Sequence, residues 1–106
     1  MEKIEAKGIE NLNEDEKRIL NKLSSEYYEK IKRELKNEVS LKIRLKEYKK
    51  DNEKKRRKYS INLIVAAPTR VIEASYADWE LAKTLHVVFE KAINEIEKRF
   101  HVSEQH

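Results

Sequence analysis

The apolar residues of this chain change their spacing twice, and that change dictates what it can fold into. Ile19, Leu20, Leu23, Tyr27, Ile31 and Leu35 lie on one stripe at helical steps. From Val39 the step becomes two, so that Val39, Leu41, Ile43 and Leu45 alternate with Ser40, Lys42, Arg44 and Lys46. The alternation resumes with Tyr59, Ile61, Leu63 and Val65, and again with Ile72, Ala74 and Tyr76. From Ala82 the helical step returns through Leu85, Phe89, Ala92, Ile93, Ile96 and Phe100. A period of 3.6 residues marks one face of a helix and a period of two marks one face of a strand. Residues 3–9 alternate weakly and predict a short first strand, with Gly8 permitting a bend. The order is therefore β-α-β-β-β-α. This is an α+β fold, a four-stranded and mostly antiparallel sheet with two helices packed on one face and the other face left open.

Local signals support these elements. Asn13 precedes Glu14, Asp15 and Glu16, which predicts a helix start with Asn13 as cap and Glu16 closing a capping box. In that helix Tyr27 belongs to the core stripe and Tyr28 to its flank. The polar stretch from Lys49 to Arg56 separates the second and third strands, Ala67 to Arg70 turns the chain into the fourth, and Asp78 is placed to cap the last helix. One glycine and one proline in 106 residues, of which 42% are charged, imply short loops and long regular elements. A mean hydropathy of -0.91 is low, yet the periodic apolar pattern argues for a folded chain. Residues 1–106 form a single domain by length, with a frayed tail at 101–106.

Several function classes receive no support. With no cysteine there is neither a disulfide framework nor a thiolate metal site. The first residues carry no apolar run and no stretch is long enough to span a bilayer, so the expectation is a soluble, cytoplasmic protein that keeps clear of membranes. His86, His101 and His106 lack metal-ligand spacing, and the sequence offers His86 no partner. Neither a glycine-rich phosphate loop nor a nucleophile elbow is present. No enzyme, small-molecule substrate or cofactor is expected.

The distribution of charge is more informative than its total of +4. Residues 39–76 hold eleven basic and four acidic side chains, while the segments on either side are slightly acidic. Within the middle segment the cations condense into Lys42, Arg44, Lys46, Lys49, Lys50, Lys54, Lys55, Arg56, Arg57 and Lys58. A localised patch of this kind is the footprint of a polyanion binder. Alternate strand positions lie about 7 Å apart, close to the phosphate spacing of a nucleic-acid strand. Lys42, Arg44 and Lys46 either follow a phosphate backbone or form a solvated face that discourages edge pairing. The adjacent cations Lys54, Lys55, Arg56, Arg57 and Lys58 favour the first reading, because like charges in a row repel one another unless a partner neutralises them. Tyr48, on the same hairpin, either stacks on an unpaired base or packs at the edge, and Trp79 either packs over the sheet end or stacks likewise.

The segment Ile72, Glu73, Ala74, Ser75, Tyr76, Ala77, Asp78, Trp79, Glu80, Leu81, Ala82, followed by a helix with Glu90, Lys91, Ala92 and Ile96, resembles the ribosome hibernation-promoting factor and ribosome-associated inhibitor family. The element order and basic hairpin agree, and the resemblance spans nearly the whole chain. It implies a four-stranded sheet with two helices on one face. It also implies binding of ribosomal RNA in the small-subunit cleft for messenger and transfer RNA, which keeps ribosomes inactive. Lys91, Lys98 and Arg99 match basic helix positions of such factors. Two features depart from the family pattern: Glu90, Glu95 and Glu97 dilute the charge of that helix, and the densest positive charge lies on the hairpin. The chain ends soon after the last helix, as in short family members without a further domain. The alternatives are a general double-stranded RNA module, which would carry lysines where this chain has Asp78, Trp79 and Glu80, and a protein-interaction domain with an acidic partner. Homodimerisation through the open face or an edge is compatible with each, since Ile64 and Val71 point outward there.

Overall fold

A computed structural model describes residues 3–51 and 56–100. The elements run β1 (Ile4–Lys7), α1 (Glu14–Leu35), β2 (Ser40–Asp51), β3 (Arg56–Ala67), β4 (Arg70–Asp78) and α2 (Leu81–Phe100). They form one mixed sheet in the order β1-β2-β3-β4. β1 pairs with β2 in parallel through the α1 crossover, and the other neighbours are antiparallel. Parallel neighbours need such a crossover, which explains why a helix separates the first two strands while hairpins join the rest.

The period change at Val39 is the point where the chain leaves α1 and enters the sheet. α1 begins at the expected capping box: Glu16 N–H donates to Asn13 Oδ1 at 2.8 Å, and Asn13 N–H donates to Glu16 Oε1 at 3.0 Å. It ends at Lys36, which takes the left-handed conformation (φ 51°) and donates its N–H to the Lys32 carbonyl at 2.8 Å. On the sheet, Leu41, Ile43, Leu45, Ile61, Leu63 and Val65 are buried beneath the helices. Above them lie Leu85, Val88, Phe89, Ala92, Ile93 and Ile96 of α2. Each of these side chains other than Ala92 contributes roughly 1.5–3 kcal/mol of transfer free energy on burial. The two helices meet where the rings of Tyr27 and Phe89 stack at 4.7 Å.

Four local expectations change. Tyr28 is not on the flank of α1 but among its most buried residues (1% exposed), because its hydroxyl reaches the Val39 carbonyl at 3.3 Å and so has a partner in the core. Ile19, placed by periodicity in the stripe, is 37% exposed, the contact face being rotated toward Ser24 and Tyr28. Asp78 does not cap α2. It ends β4, accepts from Trp79 N–H at 2.6 Å and pairs with Lys83, and the first helical bond runs instead from Thr84 N–H to the Glu80 carbonyl. The strands of the central hairpin also run further than expected, to Asp51 and from Arg56, into the stretch read as a polar connection.

Candidate nucleic-acid interface

Lys42, Arg44 and Lys46 point away from the core and are exposed, as strand alternation requires when Leu41, Ile43 and Leu45 point inward. The register then assembles neighbours that a linear sequence keeps apart. Arg44 sits opposite Lys7 of β1 on one side and Asn62 of β3 on the other, and Asn62 in turn sits opposite Ser75 of β4. With strands about 4.8 Å apart, this makes a polar row across all four strands roughly 14 Å wide. Lys42 lies between Glu5 and Ile64, and Lys46 opposite Ser60. Lys7 is thus a fourth cation of this face that the sequence reading missed. The signal was available in its parity with Glu5, but only the parallel register with β2 reveals its neighbour.

Lys58 lies near the start of β3. Its ammonium lies 6.0 Å from the Trp79 ring centre, joining β3 to the chain just beyond β4. Trp79 is half-buried at this end of the sheet. Lys54 and Lys55 lie outside the described residues. Lys49, Lys50 and Arg56 are placed in the backbone ladder, with Lys49 opposite Lys58, Lys50 opposite Arg57 and Arg56 opposite Asp51, while Tyr48 falls in β2 where the register shifts between Glu47 and Lys49.

Arg57 is drawn into the fold. Its guanidinium donates to Glu47 Oε2 at 3.0 Å, to Glu16 Oε1 at 3.0 Å and to the Asn11 carbonyl at 3.2 Å. Tyr59 completes the cluster by donating its hydroxyl to Glu16 Oε2. Burial pushes the Glu16 carboxyl up, but hydrogen bonds from Tyr59 and Asn13 N–H, with the charge of Arg57, outweigh it and leave its pKa below the usual range. The Tyr59 hydroxyl is pushed up to about 12, by burial first and then by the Glu16 carboxylate beside it.

The helix residues form a separate group at the far edge of the sheet. Lys91 donates to the Ser75 carbonyl at 3.0 Å and lies 5.7 Å from the Tyr76 ring centre, while Arg99 is paired with Glu95 at 2.9 Å. Lys91 and Lys98 line a hollow between α2 and β4 whose other wall includes Asn62, Glu73 and Ser75. The Asn62–Ser75 row therefore connects the β2 cations to this edge. Arg99 is not a lining residue of that hollow.

His86 does have a partner, supplied by the fold rather than by nearby sequence. Its Nδ1 is 2.8 Å from the Tyr27 hydroxyl, which lies 3.1 Å from Glu90 Oε1. Burial, and then the hydrogen bond to Glu90, push the Tyr27 hydroxyl up to about 12. Among the described residues, no group of three or more histidine, aspartate or glutamate side chains gathers closely enough to hold a metal ion. No described helix is long and apolar enough to cross a membrane.

No family model matches the chain, and no curated protein matches its sequence. Among solved structures it is similar to the crystal structure of the Protein Y N-terminal domain from Thermus thermophilus, with a TM-score of 0.66 and 12% identity over 92% of this chain and 98% of that one. At that identity the likeness establishes a shared fold, the α+β arrangement of one four-stranded sheet and two helices.

Proposed function

We propose that this protein is a non-catalytic translation regulator that binds ribosomal RNA of the small subunit in the cytoplasm and holds ribosomes inactive. The observation that carries the proposal is the uncovered sheet face, where Lys7, Lys42, Arg44 and Lys46 stand on adjacent parallel strands with spacings of about 5 and 7 Å. A rigid array of cations at these intervals suits phosphates, and the affinity it supplies is electrostatic and weakly dependent on sequence. The neighbouring Ser60, Asn62 and Ser75 add hydrogen-bonding groups suited to phosphate and ribose oxygens. The architecture implied by the resemblance to hibernation factors agrees with the observed fold, which a Protein Y domain shares over nearly its full length.

Binding of purified protein to small subunits, measured across salt concentrations, tests this reading. Wild-type affinity should fall steeply between about 0.1 and 0.5 M salt. The variant Lys42→Ala/Arg44→Ala/Lys46→Ala should bind more weakly at every salt concentration. Its log–log salt slope should be shallower by roughly 2, from a loss of about 0.7–0.9 per phosphate contact. Affinity and slope equal to those of the wild type would remove this face from the interface. Wild-type protein that stays free of small subunits at low salt would overturn the function.

A further inference from the structure

The central hairpin outruns its neighbours. β1 stops opposite Arg44 and β4 stops opposite Tyr59, so among the described residues the ladder from Lys49–Lys58 to Asp51–Arg56 has no third strand beside it. A two-stranded ribbon is marginal by itself, and a break in register bends the strand that carries it. The break lies between Glu47 and Lys49, where the ribbon leaves the sheet. Without a fastening at that point, the direction of the ribbon would be loosely set.

Arg57 provides the fastening. One guanidinium joins three parts of the chain: Glu47 beside the break, Glu16 in the first turn of α1, and the carbonyl of Asn11 ahead of that helix. The three charged side chains are largely sequestered, at 28%, 12% and 14% exposure for Arg57, Glu47 and Glu16. Glu16 is itself held by Asn13 N–H and Tyr59, so the anchor belongs to the rigid helix cap. Glu47 depends more heavily on Arg57, since its Oε1 is buried without a hydrogen-bond partner among the described residues and Oε2 accepts from the guanidinium. Separating that pair would leave a carboxylate that is costly to keep inside, and it would move toward water and take the strand with it.

We infer that Arg57, though part of a run of five cations, is a positioning residue that fixes how the β2–β3 ribbon leaves the sheet, so that Lys58 and the β2 cations Lys42, Arg44 and Lys46 meet RNA together. Its own charge faces two carboxylates and is not offered to phosphate. The inference rests on the RNA-binding reading above and deepens it. It also reverses the simplest electrostatic expectation: Glu47 and Glu16, although acidic, favour binding to a polyanion.

Charge-altering and charge-conserving substitutions separate the two views. Glu47→Gln raises the net charge by one and Glu16→Gln/Glu47→Gln by two, so a purely electrostatic interface would bind small subunits more tightly. A positioning role predicts a several-fold loss of affinity for both. Arg57→Lys keeps the charge but loses the planar fork, and it should show the same loss, whereas a direct phosphate contact would tolerate it with an unchanged salt slope. Glutamine retains the capping-box geometry at position 16, and thermal melts establish that each variant is folded. In RNA-free protein, hydrogen exchange at the amides of residues 56–59 should quicken in Glu47→Gln and in Arg57→Lys. Tighter binding by the glutamine variants, wild-type binding by Arg57→Lys, or unchanged exchange would each overturn the positioning role while leaving wild-type RNA binding standing. Wild-type protein that fails to bind small subunits would instead overturn the functional reading on which the inference rests.

Discussion

Replacing Gly8 with alanine should be among the most damaging single-methyl changes available to this protein. Gly8 has φ of +82°, and a Cβ built there would lie 2.0 Å from the Leu45 carbonyl oxygen and 3.0 Å from its carbon. The left-handed backbone costs an alanine roughly 1–2 kcal/mol. The overlap adds more, because relieving it takes a movement of over about 1 Å and the obstacle is backbone rather than a side chain that can turn aside. Leu45 cannot yield easily, being paired with Ile61 in the middle of the sheet. The yielding element is therefore β1, whose four residues carry the half-buried Ile4 and Ala6. Loosening these and the adjoining Ile9 adds about 1–2 kcal/mol of lost burial. The sum is about 2–4 kcal/mol, which at roughly 4–8 °C per kcal/mol for a domain near this size lowers Tm by at least about 8 °C. Urea and thermal unfolding followed by circular dichroism would measure it. A loss below about 1 kcal/mol would show that β1 and β2 adjust more freely than the contact allows, and would refute the reasoning.

Two further outcomes follow from the buried hydroxyls. Tyr27 and Tyr59 have pKa values raised to about 12 in the fold against an ordinary 10, so the fold favours their neutral forms. The stability they contribute is present below about pH 10 and is lost as pH climbs through the folded values, by up to about 2–3 kcal/mol each. In an alkaline titration followed by tyrosinate absorbance, a component that Tyr27→Phe and Tyr59→Phe each diminish should appear late, at the unfolding transition, and a single wave near pH 10 would contradict this. Tyr28→Phe removes the buried hydrogen bond to Val39 and leaves that carbonyl short of a partner, at an expected cost of about 1–2 kcal/mol in urea unfolding; an unchanged midpoint would show that the bond contributes nothing.

Much of the fold was legible because its determinants are local. The change of period at Val39, the Asn13–Glu16 capping box and the alternation of β2, β3 and β4 each depend on residues a few positions apart, and the structure realises them as read. The features that were not legible depend on pairs distant in sequence. Tyr28 is buried because of Val39, His86 meets Tyr27 across 59 positions, and Lys7 joins Arg44 only through a parallel register. Asp78 has the chemistry of a helix cap and is instead used two residues earlier than the helix needs, at the end of a strand. Arg57 is the clearest case. In sequence nothing sets it apart from its basic neighbours, and only the approach of Glu16, 41 positions away, and of Glu47 shows that its charge is taken up within the fold.

The pairing of β1 with β2 also bears on the order in which the domain is assembled. β1 is synthesised first but gains its hydrogen-bonding partner only after the whole of α1 and the start of β2 have been made. Closing a loop of roughly thirty residues is a late reward in folding, whereas β2, β3 and β4 are consecutive and pair through short connections. The three-stranded meander, with the hydrophobic face that α2 covers, is thus suited to be the nucleus, and β1 to dock last. A newly made chain therefore carries its first strand unpaired for much of synthesis, and at four residues that strand is too short to template pairing between chains.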